Sequence, residues 1–225
     1  MARLRADVSA AKLDALIVIG DDQEEQFDHT NMPAIGVYYG ETMSGHPCHA
    51  SLARHLIASL QQDGFDLSVM RALAEGRAEG HAYSFVHRFY MGEETVPIVP
   101  VFLNAYYPPN QPSPSRCFAL GEALARAAAV LPQDMRVGVM ASGGLSHFVV
   151  DEPFDMAVIE ALRRKDANFL RNVPLIKLMS GSSEIRNWIC LAGATASLDL
   201  AWVSYVPGYR TPALSGTGLC FASFR

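Results

Sequence analysis

The sequence predicts an α/β fold, a mixed β-sheet covered by helices on both faces. Two observations carry this. Short apolar runs of strand length, bounded by glycine or turn residues, alternate along the chain with segments whose apolar residues recur at helical spacing. Half of the 225 residues are apolar and only 18% are charged, a balance that builds a sizeable core and excludes a disordered tail, a collagen or a coiled coil.

The elements follow in order. Residues 3–13 place Leu4, Val8 and Leu13 near helical spacing among alanines, so the chain opens with a helix where an α/β domain usually opens with a strand. Residues 15–20 are apolar without interruption and end in glycine, the pattern of a strand buried on both faces. Residues 35–39 form a second strand. A helix over residues 49–62 carries Leu52, Leu56, Ile57 and Leu60 on one face, and Asp63-Gly64 stops it. Residues 67–73 alternate apolar and polar, as a half-exposed strand does.

Residues 96–103 read as another strand, which Pro97 and Pro100 assign to a sheet edge or an irregular position. Residues 107–115 make a proline-rich loop too short to separate domains. An alanine-rich helix spans 117–130, and a strand over 136–141 runs into Ser142-Gly143-Gly144. Residues 154–164 are helical, Ser180 to Ser183 cap a helix that reaches Ala194, and two last strands fit 200–206 and 218–224. Without internal repeats or low-complexity tracts, residues 1–225 read as a single domain.

Charge narrows the function. Lys and Arg number 18 against 23 Asp and Glu, a net −5 with no basic block, so nucleic acid is not an expected partner. No run reaches the roughly 18 apolar residues of a membrane helix, and no membrane partner is expected. The first residues lack an apolar signal region, and Cys48, Cys117, Cys190 and Cys220 stand singly with no CxxC pair. They read as reduced thiols of a cytoplasmic protein.

Loops at strand ends are where such a fold gathers its chemistry. Four qualify: Gly20-Asp21-Asp22-Gln23, Gly80-His81, Ser142-Gly143-Gly144-Leu145-Ser146-His147, and Ser180-Gly181-Ser182-Ser183-Glu184. His147, just past a strand and a double glycine, either exchanges protons near neutrality or is a loop histidine tied to backbone. Glu184 in a first helical turn is either a functional carboxylate or a cap. Asp21 and Asp22 either bind a cation or cap a turn. His46, His49, His55 and His87 read as helix or flank residues, and His81 and His87 are not at a helical ligand spacing. Ser142 and Ser146 lie near His147, but the GxSxG elbow of a hydrolase is absent.

Taken together, these segments resemble the class III extradiol ring-cleavage dioxygenases, of the protocatechuate 4,5-dioxygenase catalytic-subunit type. The resemblance rests on residues 16–22, Gly45-His46-Pro47, Gly80-His81, the 104–121 stretch with Tyr107-Pro108-Pro109 and Arg116 to Gly121, residues 142–147, and Glu184-Ile185-Arg186-Asn187-Trp188. It implies extradiol cleavage of a catechol-type ring with O2 at non-haem Fe(II) held by two histidines and a glutamate, leaving positions open for the diol and O2. By position, Glu184 matches the iron-binding glutamate, His147 the acid/base histidine that also contacts substrate, and His81 a further active-site histidine near the substrate.

Two departures follow from the same match. Gln23 stands where the second iron histidine is expected. The first is expected on a strand ahead of the present residues, so the fold is expected with its first strand missing and an unpaired edge beside Leu16 to Ile19. Covering that edge calls for a homo-oligomer or a small partner subunit. Asp21, Asp22, Glu24 or His29 are the candidates to replace the missing ligands. The alternative is a homologue that has kept the fold without iron and binds a small aromatic acid or a protein partner.

Overall fold

The structure is a computed structural model that describes residues 1–91 and 95–225. Its centre is a five-stranded sheet of order β5-β2-β6-β1-β7, formed by β1 (Ala15–Asp21), β2 (Ile35–Tyr38), β5 (Ser68–Met70), β6 (Ile98–Leu103) and β7 (Val137–Ala141). β1 runs parallel to β6 and β7, and β2 parallel to β5, while β2 meets β6 antiparallel. The sheet is mixed, as expected from the alternation of elements.

All seven residues of β1 are buried, and they alternate between two cores. Ala15, Ile17 and Ile19 join Val99, Val101 and Leu103 on one face, beneath α2 (Ala50–Gln62), α4 (Pro114–Ala129) and α7 (Ile185–Ala194). Leu16 and Val18 join Ile98 and Phe102 on the other, beneath α3 (His81–Tyr90) and α1 (Ala2–Ala11). Helix starts are capped by side chains that accept backbone N–H groups, His49 for α2, Ser113 for α4 and Asp151 for α5 (Glu152–Arg164). A second, antiparallel sheet of order β8-β10-β9 is built from β8 (His147–Val149), β9 (Leu200–Tyr209) and β10 (Ser215–Phe224). The short hairpin β3 (Thr42–Met43) with β4 (His46–Pro47), α6 (Ala167–Arg171) and two 3₁₀ turns, Leu175–Leu178 and Ser180–Glu184, complete the elements among the described residues.

Two expectations are corrected, and one helix was not expected. The unpaired edge or gap beside Leu16 to Ile19 is not found: β6 and β7 pair with β1 on its two sides, so the expected missing strand leaves no opening there. β6 is not an edge strand despite Pro100. That residue pairs in register with Val18 of β1, and the β2 ladder begins only at Val101, so the absent N–H falls where β6 has one ladder partner. Finally, α3 has no counterpart in the pattern reading. Its sequence, His-Ala-Tyr-Ser-Phe-Val-His-Arg-Phe-Tyr, is rich in aromatic and weakly helix-forming residues, and packing of Ala82, Tyr83 and Val86 on the sheet makes it a helix.

Close helix packing depends on two glycines. A β-carbon at Gly121 of α4 would collide with the Cys190 carbonyl oxygen of α7, and one at Gly193 of α7 would collide with the Phe118 carbonyl oxygen of α4. Forcing a larger side chain into such a contact costs about 1–3 kcal/mol. Gly121→Leu is therefore expected to lower Tm by roughly 2–12 °C, whereas Leu at the exposed Ala129 of the same helix leaves it nearly unchanged. Calorimetry of both variants checks this.

Candidate active site

The C-terminal ends of β1 and β7 and the starts of α3 and α7 converge on one point, and each delivers a titratable side chain or its support. β1 ends at Asp21, whose carboxylate is 1% exposed. Asp22 turns away and accepts the backbone N–H groups of Gln26 at 2.8 Å and Phe27 at 3.1 Å, which folds the following loop back over the strand end. Gln23 then reaches in. Its Nε2 donates to Asp21 Oδ2 at 3.3 Å and lies 3.5 Å from His81 Nε2.

His81 opens α3. Its backbone N–H donates to Glu25 Oε1 at 2.7 Å, and its Nδ1 meets the same oxygen at 2.8 Å. That contact fixes the proton on Nδ1 and aims Nε2 toward Asp21 Oδ2, 3.9 Å away. Burial alone would lower the His81 pKa; the Glu25 hydrogen bond and the charges of Asp21, Glu25 and Glu184 outweigh it and raise it to about 9.

Glu184 ends a 3₁₀ turn (Ser180–Glu184) at the entry to α7. It stands at the N-cap position of α7, but its side chain accepts no N–H of that helix. Tyr106 Oη donates to its Oε1 at 2.8 Å, and the Gly144 N–H donates to its Oε2 at 2.9 Å. Burial, and then the charge of Glu184, holds the Tyr106 hydroxyl far above the ordinary tyrosine range, so it stays a donor. The same burial and the same neighbour push the Asp21 carboxyl up, against the pull of His81.

His147 begins β8. Its Nδ1 lies 2.9 Å from the Leu145 carbonyl oxygen, so Nδ1 carries the proton and Nε2 faces Glu184 Oε2 at 3.4 Å. The double glycine is what permits this approach. Gly143 has φ +149° with Glu184 Oε2 only 3.0 Å from where a β-carbon would stand, and at Gly144 a β-carbon would lie 2.6 Å from His147 Cε1. The loop is pinned from both sides: Ser142 N–H donates to the Ile19 carbonyl of β1, Asn187 Nδ2 to the Ser142 carbonyl, and Trp188 Nε1 to the Gly143 carbonyl.

The structure thus brings Gln23, His81, His147 and Glu184 into one cluster. One ligand atom each from Asp21, His81 and Glu184 lies within 4.8 Å of the others. Of the candidates to replace missing ligands, Asp21 is in this group. Asp22 is spent on backbone, and Glu24 and His29 form an exposed pair at 3.8 Å. A hydrolase arrangement is not formed: the buried Ser146 hydroxyl donates to Asp155 Oδ2 at 2.6 Å, turned from His147. Glu25, Tyr106 and Asn187 were not singled out from sequence, although Asn187 stands three residues after Glu184, one helical turn on, and Tyr106 lies three residues past the end of β6 at Leu103.

The donor set has one imidazole and two buried carboxylates, with the Gln23 amide alongside. Two carboxylates held this close with little solvent suit a divalent cation, so the residues fit a metal such as Fe(II), though with a different donor set from two histidines and one glutamate.

A protein-family description, the catalytic LigB subunit of aromatic ring-opening dioxygenase, matches residues 5–218. Gallate dioxygenase of Pseudomonas putida strain KT2440 is 36% identical over 106 residues, covering 46% of this chain and 30% of that protein. The 2,3-dihydroxyphenylpropionate/2,3-dihydroxicinnamic acid 1,2-dioxygenase of Comamonas testosteroni is 30% identical over 157 residues, covering 65% of this chain and 47% of that protein. The matches span less than half the length of either relative.

Because the folded His81 value lies above the ordinary histidine value of about 6.5, protonated His81 stabilises the fold. That contribution is complete below about 6.5 and is lost as the pH rises through about 9. In metal-free protein Tm is expected to fall across this window, and His81→Gln to flatten the fall. A wild-type profile already flat there contradicts the assignment of charge.

Proposed function

The chain belongs to the LigB family of aromatic ring-opening dioxygenases, and on that footing we propose that it opens a catechol-type ring beside the diol, with O2 at an Fe(II) centre. The observation that carries the reading is the meeting of Asp21, His81 and Glu184 within 4.8 Å, with His147 Nε2 poised 3.4 Å from Glu184. The relatives act, by name, on gallate and on 2,3-dihydroxyphenylpropionate, aromatic acids with adjacent hydroxyls. A substrate of that class is proposed for this chain.

His81 Nε2, Asp21 and Glu184 would hold the iron, and the Gln23 amide, at the position expected for a histidine, would stand beside them. Bound there, Fe(II) would supply the electronic coupling that lets a diol and O2 react. The chain's own groups supply the rest. His147, protonated on Nδ1 toward Leu145, offers Nε2 to take a proton from a substrate hydroxyl and to return one to the opened product. Glu25 keeps His81 in the tautomer that presents Nε2. Tyr106 and the Gly144 N–H hold the two oxygens of Glu184, so it cannot swing away as charge builds. His81 also borders a cleft of about 480 Å³ lined by His46, Glu79, Ser84, Phe85, His87 and Arg88, whose lining does not include Asp21, His147 or Glu184.

The test is anaerobic reconstitution with Fe(II), followed by metal analysis and oxygen uptake with gallate, protocatechuate and 2,3-dihydroxyphenylpropionate. About one reconstituted iron per chain and ring-opened product are expected. His147→Ala should cut turnover by about 10²–10⁴-fold with iron retained. Glu184→Ala should lose the iron. Absence of both iron and uptake would favour the alternative, a fold that binds an aromatic acid or a partner without cleaving a ring.

A further inference from the structure

A second cluster lies outside the site just described. The hairpin β3–β4, the loop before α3 and the α3 helix itself bring together His46, Glu79 and His87, and one ligand atom from each lies within 4.8 Å of the others. We propose that these three residues form a second metal site, for a divalent transition cation of the zinc type, separate from the Asp21–His81–Glu184 group.

Several features point to a ligand rather than to packing. Glu79 presents both carboxylate oxygens to imidazoles, Oε2 to His87 Nδ1 at 2.8 Å and Oε1 to His46 Nε2 at 3.6 Å. The two imidazoles stack at 3.9 Å between centroids and 20° between planes, so one ring must turn for both to direct a nitrogen lone pair at one ion. The His87 side chain is 2% exposed, yet among the described residues its Nε2 finds no hydrogen-bond partner. A buried donor or acceptor left unpaired costs about 1–3 kcal/mol, and an ion or a water at His87 Nε2 would remove that cost. Two nitrogens and a carboxylate are the donor types of sites that hold Zn(II) with a fourth position open to solvent or ligand.

The cluster is also built and reachable. Ser44 Oγ accepts the Glu79 backbone N–H at 2.8 Å, and the turn it occupies has φ +49° at Ser44 and +85° at Gly45, which folds His46 back against Glu79. His46, Glu79 and His87 line the same cleft of about 480 Å³ that His81 reaches, so an ion has a path from solvent. His81 and His87 belong to different clusters, which is why their spacing along α3 showed no ligand pattern. Arg88 shares the cleft and disfavours a cation; two imidazoles and the Glu79 side chain must overcome it.

The experiment separates the two clusters. The double variant Asp21→Asn with Glu184→Gln disables the first donor group, and Zn(II) is then titrated into the metal-free protein, with Co(II) as the spectroscopic probe. About one equivalent of Zn(II) should bind, raise Tm, and give a Co(II) spectrum of nitrogen and oxygen ligation. Adding His46→Ala should remove that equivalent and the Tm rise; His46 is half-buried at the cleft, so this change spares the core. Glu79→Gln, which keeps the side-chain volume, should do the same. If the double variant binds no Zn(II), or binds it equally well after His46→Ala, the second site does not exist. The readouts are metal stoichiometry, spectrum and Tm, so ring-cleavage activity has no bearing on the outcome.

Discussion

Two carboxylates buried side by side, Asp21 and Glu184, are the constraint on which the rest of the structure depends. Taking one ionised carboxylate out of water costs several kcal/mol unless it is paired and hydrogen-bonded, and placing a second beside it adds repulsion. The fold answers with directed donors. Glu184 receives Tyr106 Oη and the Gly144 N–H, while Asp21 receives Gln23 and lies within reach of Asn187 Nδ2 and the His81 ring. His81 is the one imidazole in the donor group; the Glu25 hydrogen bond and the surrounding carboxylates raise its pKa against the effect of burial. A site that stabilises positive charge beside two buried carboxylates suits a cation.

The scaffold explains how the carboxylates come to be held there. β1 lies inside the sheet with both faces buried, so its end is fixed by ladders on either side and Asp21 has little freedom. Gly20 lets α3 approach: a β-carbon there would lie 2.6 Å from Ala82 Cβ, next to His81. On the opposite side, α7 packs on α4 through Gly121 and Gly193, and this seats Glu184, Asn187 and Trp188 against the Ser142–Gly144 loop. Small residues at three contacts therefore help to set the position of the functional cluster.

Much of this was legible in the sequence, and for identifiable reasons. Uninterrupted apolar runs such as residues 15–20 announce a strand buried on both faces, and the loops after such strands announce where chemistry gathers, which is why Gln23, His81, His147 and Glu184 were found together. Edge strand and interior strand were harder to tell apart. Pro100 speaks against an interior position by its missing N–H, and only the register, with β2 beginning at Val101, shows how the sheet accommodates it. The α3 helix was hidden because its aromatic-rich sequence owes its helicity to burial on the sheet. Glu25, Tyr106 and Asn187 act by orienting other side chains, and orientation leaves no periodicity in a sequence. The pairing of His46 with His87 through Glu79 likewise needs a hairpin and a helix to meet, which spacing along the chain does not encode.

Iron-edge anomalous diffraction from crystals loaded anaerobically with Fe(II) tests the central claim most directly. The account predicts a peak between the Asp21 and Glu184 carboxylates and His81 Nε2. A peak elsewhere, or none at full Fe(II) loading, would contradict it.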